Sequence, residues 1–174
     1  MPRSWRTTAP PSPADNIRPA RPDEIPALAA LAFEAKASHG YDDAFMERVR
    51  EALVPVRVDV LAGSVLVAEA RPADACGPAV FAGWGALAWR DDGERYVEDL
   101  WVAPARQRCG VGTSLLRALL SSAGESGDRC VFVESDPHAV AFYRRHGAVD
   151  AGEITSRATG RSLPRLRFDL AVRP

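Results

Sequence analysis

Apolar residues recur along this chain with two different periods, and the switches between them mark out its elements. Ile25, Leu28, Ala29, Leu31, Ala32 and Ala35 fall at spacings of three and four, the stripe of a helix. Pro22-Asp-Glu opens that helix, with proline in the first turn and acids at the positive dipole end. Gly40 stops it within a loop running from Ser38 to Asp43. Asp42 or Asp43 then caps a second helix carrying Phe45, Met46, Val49 and Leu53, which Pro55 ends. Val56 to Leu61 alternates and reads equally as a strand or a helix end. Ile17 to Arg21 reads as a short edge strand because it holds Pro19. Ser64–Glu69, Val80–Trp89 and Arg95–Val102 read as strands. Arg71 to Pro78 reads as a turn, and Asp91-Asp-Gly93 as the turn of a hairpin. The small residues of Val80–Trp89 allow a neighbour to pack closely or the strand to bulge.

Beyond Val102 the helical period returns. Val111, Leu115, Leu116, Leu119 and Leu120 form an inner helix face, ended by Gly124 and Gly127. Cys130–Glu134 is short and apolar, as a strand buried on both faces should be. Ser135-Asp-Pro caps a helix with Ala139, Phe142 and Tyr143, and Gly147 stands where a left-handed cap belongs. Gly152 to Ser156 reads as a strand and Arg157 to Ser162 as a loop. Leu166, Phe168, Leu170 and Val172 alternate with Arg165, Arg167 and Asp169 in a half-buried last strand. The order is β-α-α-β-β-β-α-β-α-β-β. Strand–helix–strand after Val97 predicts a parallel pair with a right-handed crossover, and the hairpins predict antiparallel neighbours. The expected class is therefore α/β (α+β): a mixed, mostly antiparallel central sheet of about seven strands with helices on both faces.

Composition narrows the partners. At 174 residues, 47% hydrophobic and 26% charged, the chain suits one domain over 15–174. The proline-rich residues 1–14, Trp5 among them, read as a flexible tail. A net charge of −1 and a pI near 6.3 disfavour nucleic acid and anionic membranes. No run of about 18 apolar residues predicts a membrane span. Cys76, Cys109 and Cys130 form no CxxC pair and are odd in number, so a reducing, cytoplasmic setting is expected. No signal-peptide pattern opens the chain. Lys36 is the sole lysine among 22 basic residues. The three histidines are scattered, and no metal site is expected from His39, His138 and His146.

Candidate chemistry begins at Gln107-x-x-Gly110-x-Gly112, where a strand runs into a glycine turn and a helix runs out. It is neither a dinucleotide fingerprint nor a P-loop, since Leu115 replaces the third glycine and no Gly-Lys-Ser/Thr follows. Arg106 and Arg108 flank the turn, and Thr113 and Ser114 bring hydroxyls to the first helical turn. Cations, free N–H groups and a helix dipole converge there, which suits an anion better than a plain turn does. On the preceding strand, strict alternation puts 96, 98, 100 and 102 on one face and 97, 99 and 101 on the other. Glu98 and Asp99 then point oppositely. Each can serve as a base or simply pair with an arginine.

These residues together resemble the GNAT superfamily of acyl-CoA-dependent N-acyltransferases. Val102-x-Pro104…Gln107-x-x-Gly110-x-Gly112-x-x-Leu115-Leu116 is similar to its coenzyme-binding signature. Asp136-x-x-Ala139-x-x-Phe142-Tyr143-x-x-x-Gly147 is similar to its second motif. Two departures stand out: Asp136 replaces a common asparagine, and Ala148 replaces a common phenylalanine. Tyr96 to Val102 is similar to a stretch of diamine N-acetyltransferases, too short to fix a substrate.

The resemblance implies a splayed strand pair forming an acetyl-CoA cleft. Pantetheine would pair with the backbone of Leu100, Trp101 and Val102. The pyrophosphate would meet Arg108, Cys109, Gly110, Val111, Gly112 and Thr113, with Gln107, Ser114, Asp136, Ala139 and Phe142 alongside. Glycine at 110 and 112 would let phosphates reach the backbone. Glu98 is the first candidate base, Asp99 the second, and Tyr143 the acid that protonates the leaving thiolate. A backbone N–H near Val102 would hold the oxyanion.

Cys109 is expected to be a small packing residue, and transfer to be direct. His39 and Tyr41 are candidate rim residues of an acceptor pocket built from the Ser38–Asp43 and Arg157–Ser162 loops, although loop solvation explains them equally. Acids at 42 and 43 and arginines at 157 and 161 leave the acceptor's charge open. The expected acceptor is a small-molecule or peptide amine. The rivals are a non-catalytic acyl-CoA-binding or sensor domain, and an acyltransferase with a longer acyl donor or another acceptor. The small residues Gly83, Gly85 and Ala86 leave pocket size open, and the last strands offer an edge for a homodimer.

Overall fold

The computed structural model describes residues 16–70, 80–156 and 159–170. The expected tail with Trp5, the 71–78 turn, Cys76, Arg157 and Val172 lie outside them. In chain order the elements are β1 (Asn16–Pro19), α1 (Ile25–Ala37), α2 (Asp43–Val49), α3 (Arg57–Leu61), β2 (Val65–Ala70), β3 (Val80–Trp89) and β4 (Arg95–Val102). They continue with α4 (Val111–Glu125), β5 (Cys130–Glu134), α5 (Val140–Arg145), β6 (Val149–Thr155) and β7 (Ser162–Asp169). Asp42 caps α2 by accepting from the Phe45 N–H at 2.7 Å.

Seven strands form one sheet in the order β1-β2-β3-β4-β5-β7-β6. Every neighbouring pair is antiparallel except β4 and β5, which run parallel around the α4 crossover. Helices cover both faces. One core, with Leu28, Leu31, Phe45, Met46, Val60 and Trp84, packs α1, α2 and α3 on the sheet. The Trp84 indole N–H donates to the Leu28 carbonyl at 2.8 Å, which ties β3 to α1. The other core packs α4 and α5 through Leu116, Leu119, Val131, Tyr143, Leu166 and Phe168. Among the described residues no helix is long and apolar enough to cross a membrane.

The ambiguous stretch is resolved as a helix. The Val60 and Ala62 N–H groups bond the carbonyls of Val56 and Val58 in α3. Only Val60 of its apolar residues is buried, while Val58 and Leu61 face outward. The last strand begins and ends earlier than its alternation implied. Thr155 already stands opposite Ser162 at the β6–β7 hairpin, and Asp169 opposite Cys130 closes the pairing with β5.

Two features of β3 and β4 place the site. A Cβ on Gly83 would stand 2.5 Å from the Trp101 carbonyl oxygen and 3.1 Å from a Leu115 methyl. One on Gly85 would stand 2.8 Å from a Leu119 methyl. These glycines therefore seat α4 on the sheet, while Ala86 is buried in the opposite core. The second feature is a bulge. Ala86 faces Asp99 and Leu87 faces Val97, so Glu98 is the extra residue. The strict alternation expected for β4 is thus broken. Val97, Leu100 and Val102 turn to the α4 face, and Trp101 turns to the α1 face.

Candidate active site

The parallel pair barely pairs. Tyr96 opposite Phe132 is the one register contact between β4 and β5, and beyond it the strands part. The edge of β4 from residue 98 onward is left without a strand partner on that side among the described residues. Unpaired edge N–H and C=O groups are a template for an amide-bearing chain.

At the end of that edge the backbone bends into a receptor for anions. A short 3-10 turn at Pro104–Arg106 leads to Arg108 and Gly110, both left-handed, with φ of 61° and 84°. Left-handed conformation is ordinary for glycine and costs an arginine about 1–2 kcal/mol, so the strain at Arg108 is held by its surroundings. The first bond of the α4 ladder runs from the Ser114 N–H to the Gly110 carbonyl at 3.0 Å. The N–H groups of residues 108–113 consequently find no acceptor among the described residues. Consecutive free N–H groups over a left-handed bend, at the start of a 15-residue helix, form an anion-binding nest. Gly110 supplies the bend. Gly112 serves packing instead. Its missing Cβ points at Val102 and Phe142, 3.4 and 3.5 Å away, so it keeps α4 against β4 and α5.

Side chains around the nest divide into those free for a ligand and those already used. The Thr113 hydroxyl meets His146 Nε2 at 3.0 Å, and His146 Nδ1 meets the Phe142 carbonyl at 2.8 Å. A carbonyl only accepts, so Nδ1 carries hydrogen, and Nε2 and the Thr113 hydroxyl share the second bond. Thr113 thus contributes its backbone N–H, while its hydroxyl joins α4 to α5. Gln107 reaches back to the Val102 carbonyl at a loose 3.5 Å. Cys109 is exposed, so the expected packing role is not what it performs. Ala139 and Phe142 pack partly buried against the α4–α5 core.

Two groups with raised pKa values come from the elements beside the parting: Asp99 from β4 and Tyr143 from α5. Asp99 accepts from the Trp101 indole N–H at 2.8 Å. Burial pushes its carboxyl up to about 7, with Glu98 and Asp59 repelling its charge. Tyr143 is buried in the α4–α5 core, edge-on to Phe142 and Phe168 at 5.2 and 6.4 Å between ring centroids. Burial raises its phenol well above the ordinary range, and the Asp99 and Asp136 carboxylates add to that. An acid poised near neutrality therefore lies within electrostatic reach of a phenol that keeps its proton. Glu98, the first candidate base, is differently placed. It is the bulge residue, and it accepts from Arg90 Nε at 2.9 Å. Its carboxylate is held in an ion pair, and the bulge turns it to the α3-side cavity that Asp59 also lines.

Asp136 is more than a cap. It accepts from the His138 N–H at 3.0 Å, from the Tyr41 hydroxyl at 2.9 Å and from Lys36, the sole lysine. Against its burial, Lys36, the His138 N–H and Tyr41 hold its carboxyl below the usual range. His39 stacks on His138 with centroids 5.0 Å apart, and Arg161 lies over the Tyr41 ring at 5.7 Å. His39 and Tyr41 thus close the end of α1 onto the turn that precedes α5. They are absent from the lining of the cavity on the α3 side of the sheet, which holds about 560 Å³. Asp59, Trp89, Arg90, Tyr96, Glu98 and Glu134 line that cavity. Four of these, Asp59, Trp89, Arg90 and Glu134, carried no sequence motif. The lone lysine was the available signal for Lys36. Nothing local marked the others, because they converge from four different elements. Among the described residues no three His, Cys, Asp or Glu side chains are arranged to hold a metal ion.

Comparison with known proteins gives this geometry a context. The Acetyltransferase (GNAT) family matches residues 34–148. No curated protein matches the sequence. Among solved structures, a GCN5-related N-acetyltransferase from Rhodopseudomonas palustris superposes with a TM-score of 0.68 at 20% identity, over 91% of this chain and 97% of that one. The yncA protein of Salmonella typhimurium, solved with its cofactor acetyl-CoA, gives 0.63 at 20% identity over 90% and 94%. The PaiA N-acetyltransferase of Thermoplasma acidophilum, in complex with coenzyme A, gives 0.65 at 14% identity over 88% and 98%. At these identities the likeness is one of fold.

Proposed function

The chain belongs to the GNAT acetyltransferase family, and we propose that it moves an acetyl group from acetyl-CoA to a primary amine of a small molecule or peptide, by direct attack in a ternary complex. The observation that carries this reading is the parting of β4 and β5 with the anion nest at one end, beside an Asp99 carboxylate near enough to Tyr143 to act on its phenol. The residues fit the co-substrate. The free N–H groups of 108–113 match a pyrophosphate, and the open edge of β4 matches the amides of pantetheine. Acetyl-CoA supplies an activated acyl carbon when bound.

The chain's own groups then handle protons. An alkylammonium, with a pKa near about 10, must lose a proton before its nitrogen can attack. Asp99, its carboxyl raised to about 7, is the base that takes it, directly or through water. The N–H groups at the β4 edge near Val102 stabilise the oxyanion. Tyr143 holds its proton in the buried site and delivers it to the departing sulfur. Glu98, paired with Arg90, shapes the field around Asp99.

The test is a thiol-release screen with acetyl-CoA over polyamines, aminoglycosides, amino acids and peptides with free N-termini. Amine-dependent release is the expected result. Coenzyme A binding with no release for any amine would replace the enzyme by an acyl-CoA-binding domain. A series of longer acyl-CoAs in the same assay fixes the donor.

A further inference from the structure

The cavity on the α3 side of the sheet contains its own cation. Asp59, Asp91, Asp92, Glu98 and Glu134 line it, against Arg90 as the one base among the described residues. Arg90 Nε donates to Glu98 at 2.9 Å, and Nη1 donates to Glu134. The same guanidinium lies 4.0 Å from the centroid of the Tyr96 ring. A planar cation is thus seated on an aromatic face between two carboxylates, the chemistry by which proteins hold an alkylammonium or guanidinium group. Glu98 belongs to β4 and Glu134 to β5, each two residues past the Tyr96–Phe132 contact. Arg90 therefore spans the strands where they begin to part. It comes from the β3–β4 hairpin, where its N–H bonds the Glu94 carbonyl at 3.1 Å, and its side chain remains 28% exposed at the cavity mouth.

We propose that Arg90 determines acceptor specificity by filling a subsite for a second positive charge, so that the protein favours amines with one positive charge over diamines. The inference rests on reading this cavity as the acceptor site. With Arg90 in place, Glu98 and Glu134 are both engaged, and an incoming ammonium is left with Asp59, Asp91 and Asp92. Without it, two carboxylates and the space 4.0 Å above the Tyr96 ring are freed for the remote ammonium of a diamine, while Arg165 keeps its bond to the Tyr96 hydroxyl.

Calorimetric titration of the coenzyme A-saturated protein with butylamine and with putrescine tests this without requiring turnover. Arg90→Met should tighten putrescine by about tenfold, the scale of a desolvated cation on an aromatic face, and butylamine by far less. Arg90→Lys should behave as the wild type, and Glu134→Gln added to Arg90→Met should remove the gain. Arg90→Gln carries the same expectation should Arg90→Met not fold. Equal shifts for the two amines, or no shift, overturn the proposal. Acetyl transfer measured on the same samples separates the two readings. Tighter putrescine binding with no transfer to any amine keeps the subsite and removes the transferase. Transfer with an unchanged putrescine-to-butylamine ratio removes the subsite alone.

Discussion

The two halves of the cleft are made of different material. The donor half is backbone: a left-handed pair at 108 and 110, the free N–H groups of 108–113 and the open edge of β4. Its side chains are exposed, as at Cys109, or engaged elsewhere, as at Thr113. The proposed acceptor half is side chains brought from afar. Arg90 of the β3–β4 hairpin joins Glu98 of β4 to Glu134 of β5, and Asp59 reaches the same cavity from α3. A backbone receptor depends on local conformation and recognises what all its ligands share, an anion and an amide chain. A side-chain receptor depends on which residues tertiary packing brings together, and so carries the selectivity. On this view, substitutions on the acceptor side should change chemistry, and those on the donor side should change affinity.

Tyr143→Phe is the sharpest way to break the contrast. The ring stays in its packing with Phe142 and Phe168, and only the proton donor goes. Turnover should fall about 10²–10⁴-fold, the range for loss of a positioned acid, while acetyl-CoA affinity measured by titration stays within about twofold. Loss of affinity with intact turnover would move Tyr143 into the donor half.

Asp99→Asn should follow, with a turnover loss of about 10²-fold and a changed pH profile. Burial, Glu98 and Asp59 raise the Asp99 carboxyl to about 7, so the base form gains with pH and wild-type turnover should rise through that value. The variant should lack that limb. Stability moves the other way. The folded pKa lies above the unfolded value of about 3.9, so the stabilisation tied to this proton is full below about pH 4 and lost as pH rises through about 7. Asn cannot ionise. Thermal melts should therefore show the variant gaining on the wild type between these pH values. Parallel melting curves, or a profile unchanged in the variant, would return the role of base to Glu98.

The same division explains what could be read from the sequence. β3, β4 and β5 fall on the ranges that period alone predicts, and the nest was legible because glycine spacing encodes local backbone. The bulge at Glu98 was not legible. One extra residue in β4 is defined only by its register against β3, and it redirects both acids. The α3 helix hid for a similar reason: Val-Arg-Val-Asp-Val fits a strand until no strand partner is available. Asp136 read as a cap because its neighbour His138 is local, whereas Lys36 and Tyr41 are not. Gly83 and Gly85 were legible as a close approach, but not as an approach by α4 instead of a ligand.

Gly110→Ala probes the donor half and should have the smallest effect of these. At φ 84° a Cβ costs about 1–2 kcal/mol, because it crowds the following carbonyl oxygen. The chain can bear the strain in place, which lowers thermal stability, or relax the bend, which turns the free N–H groups off their common focus. Either route takes that free energy from the coenzyme-bound state or from the fold. Coenzyme A affinity should then fall by no more than about thirtyfold, with turnover at saturation near wild type. Gly112→Ala is the control. Its Cβ would meet Val102 and Phe142 at ordinary contact distances with no left-handed strain. If the two alanines weaken coenzyme A equally, the nest is not what holds the anion. If Gly110→Ala instead lowers saturated turnover while sparing affinity, the separation of donor and acceptor halves fails at its simplest point.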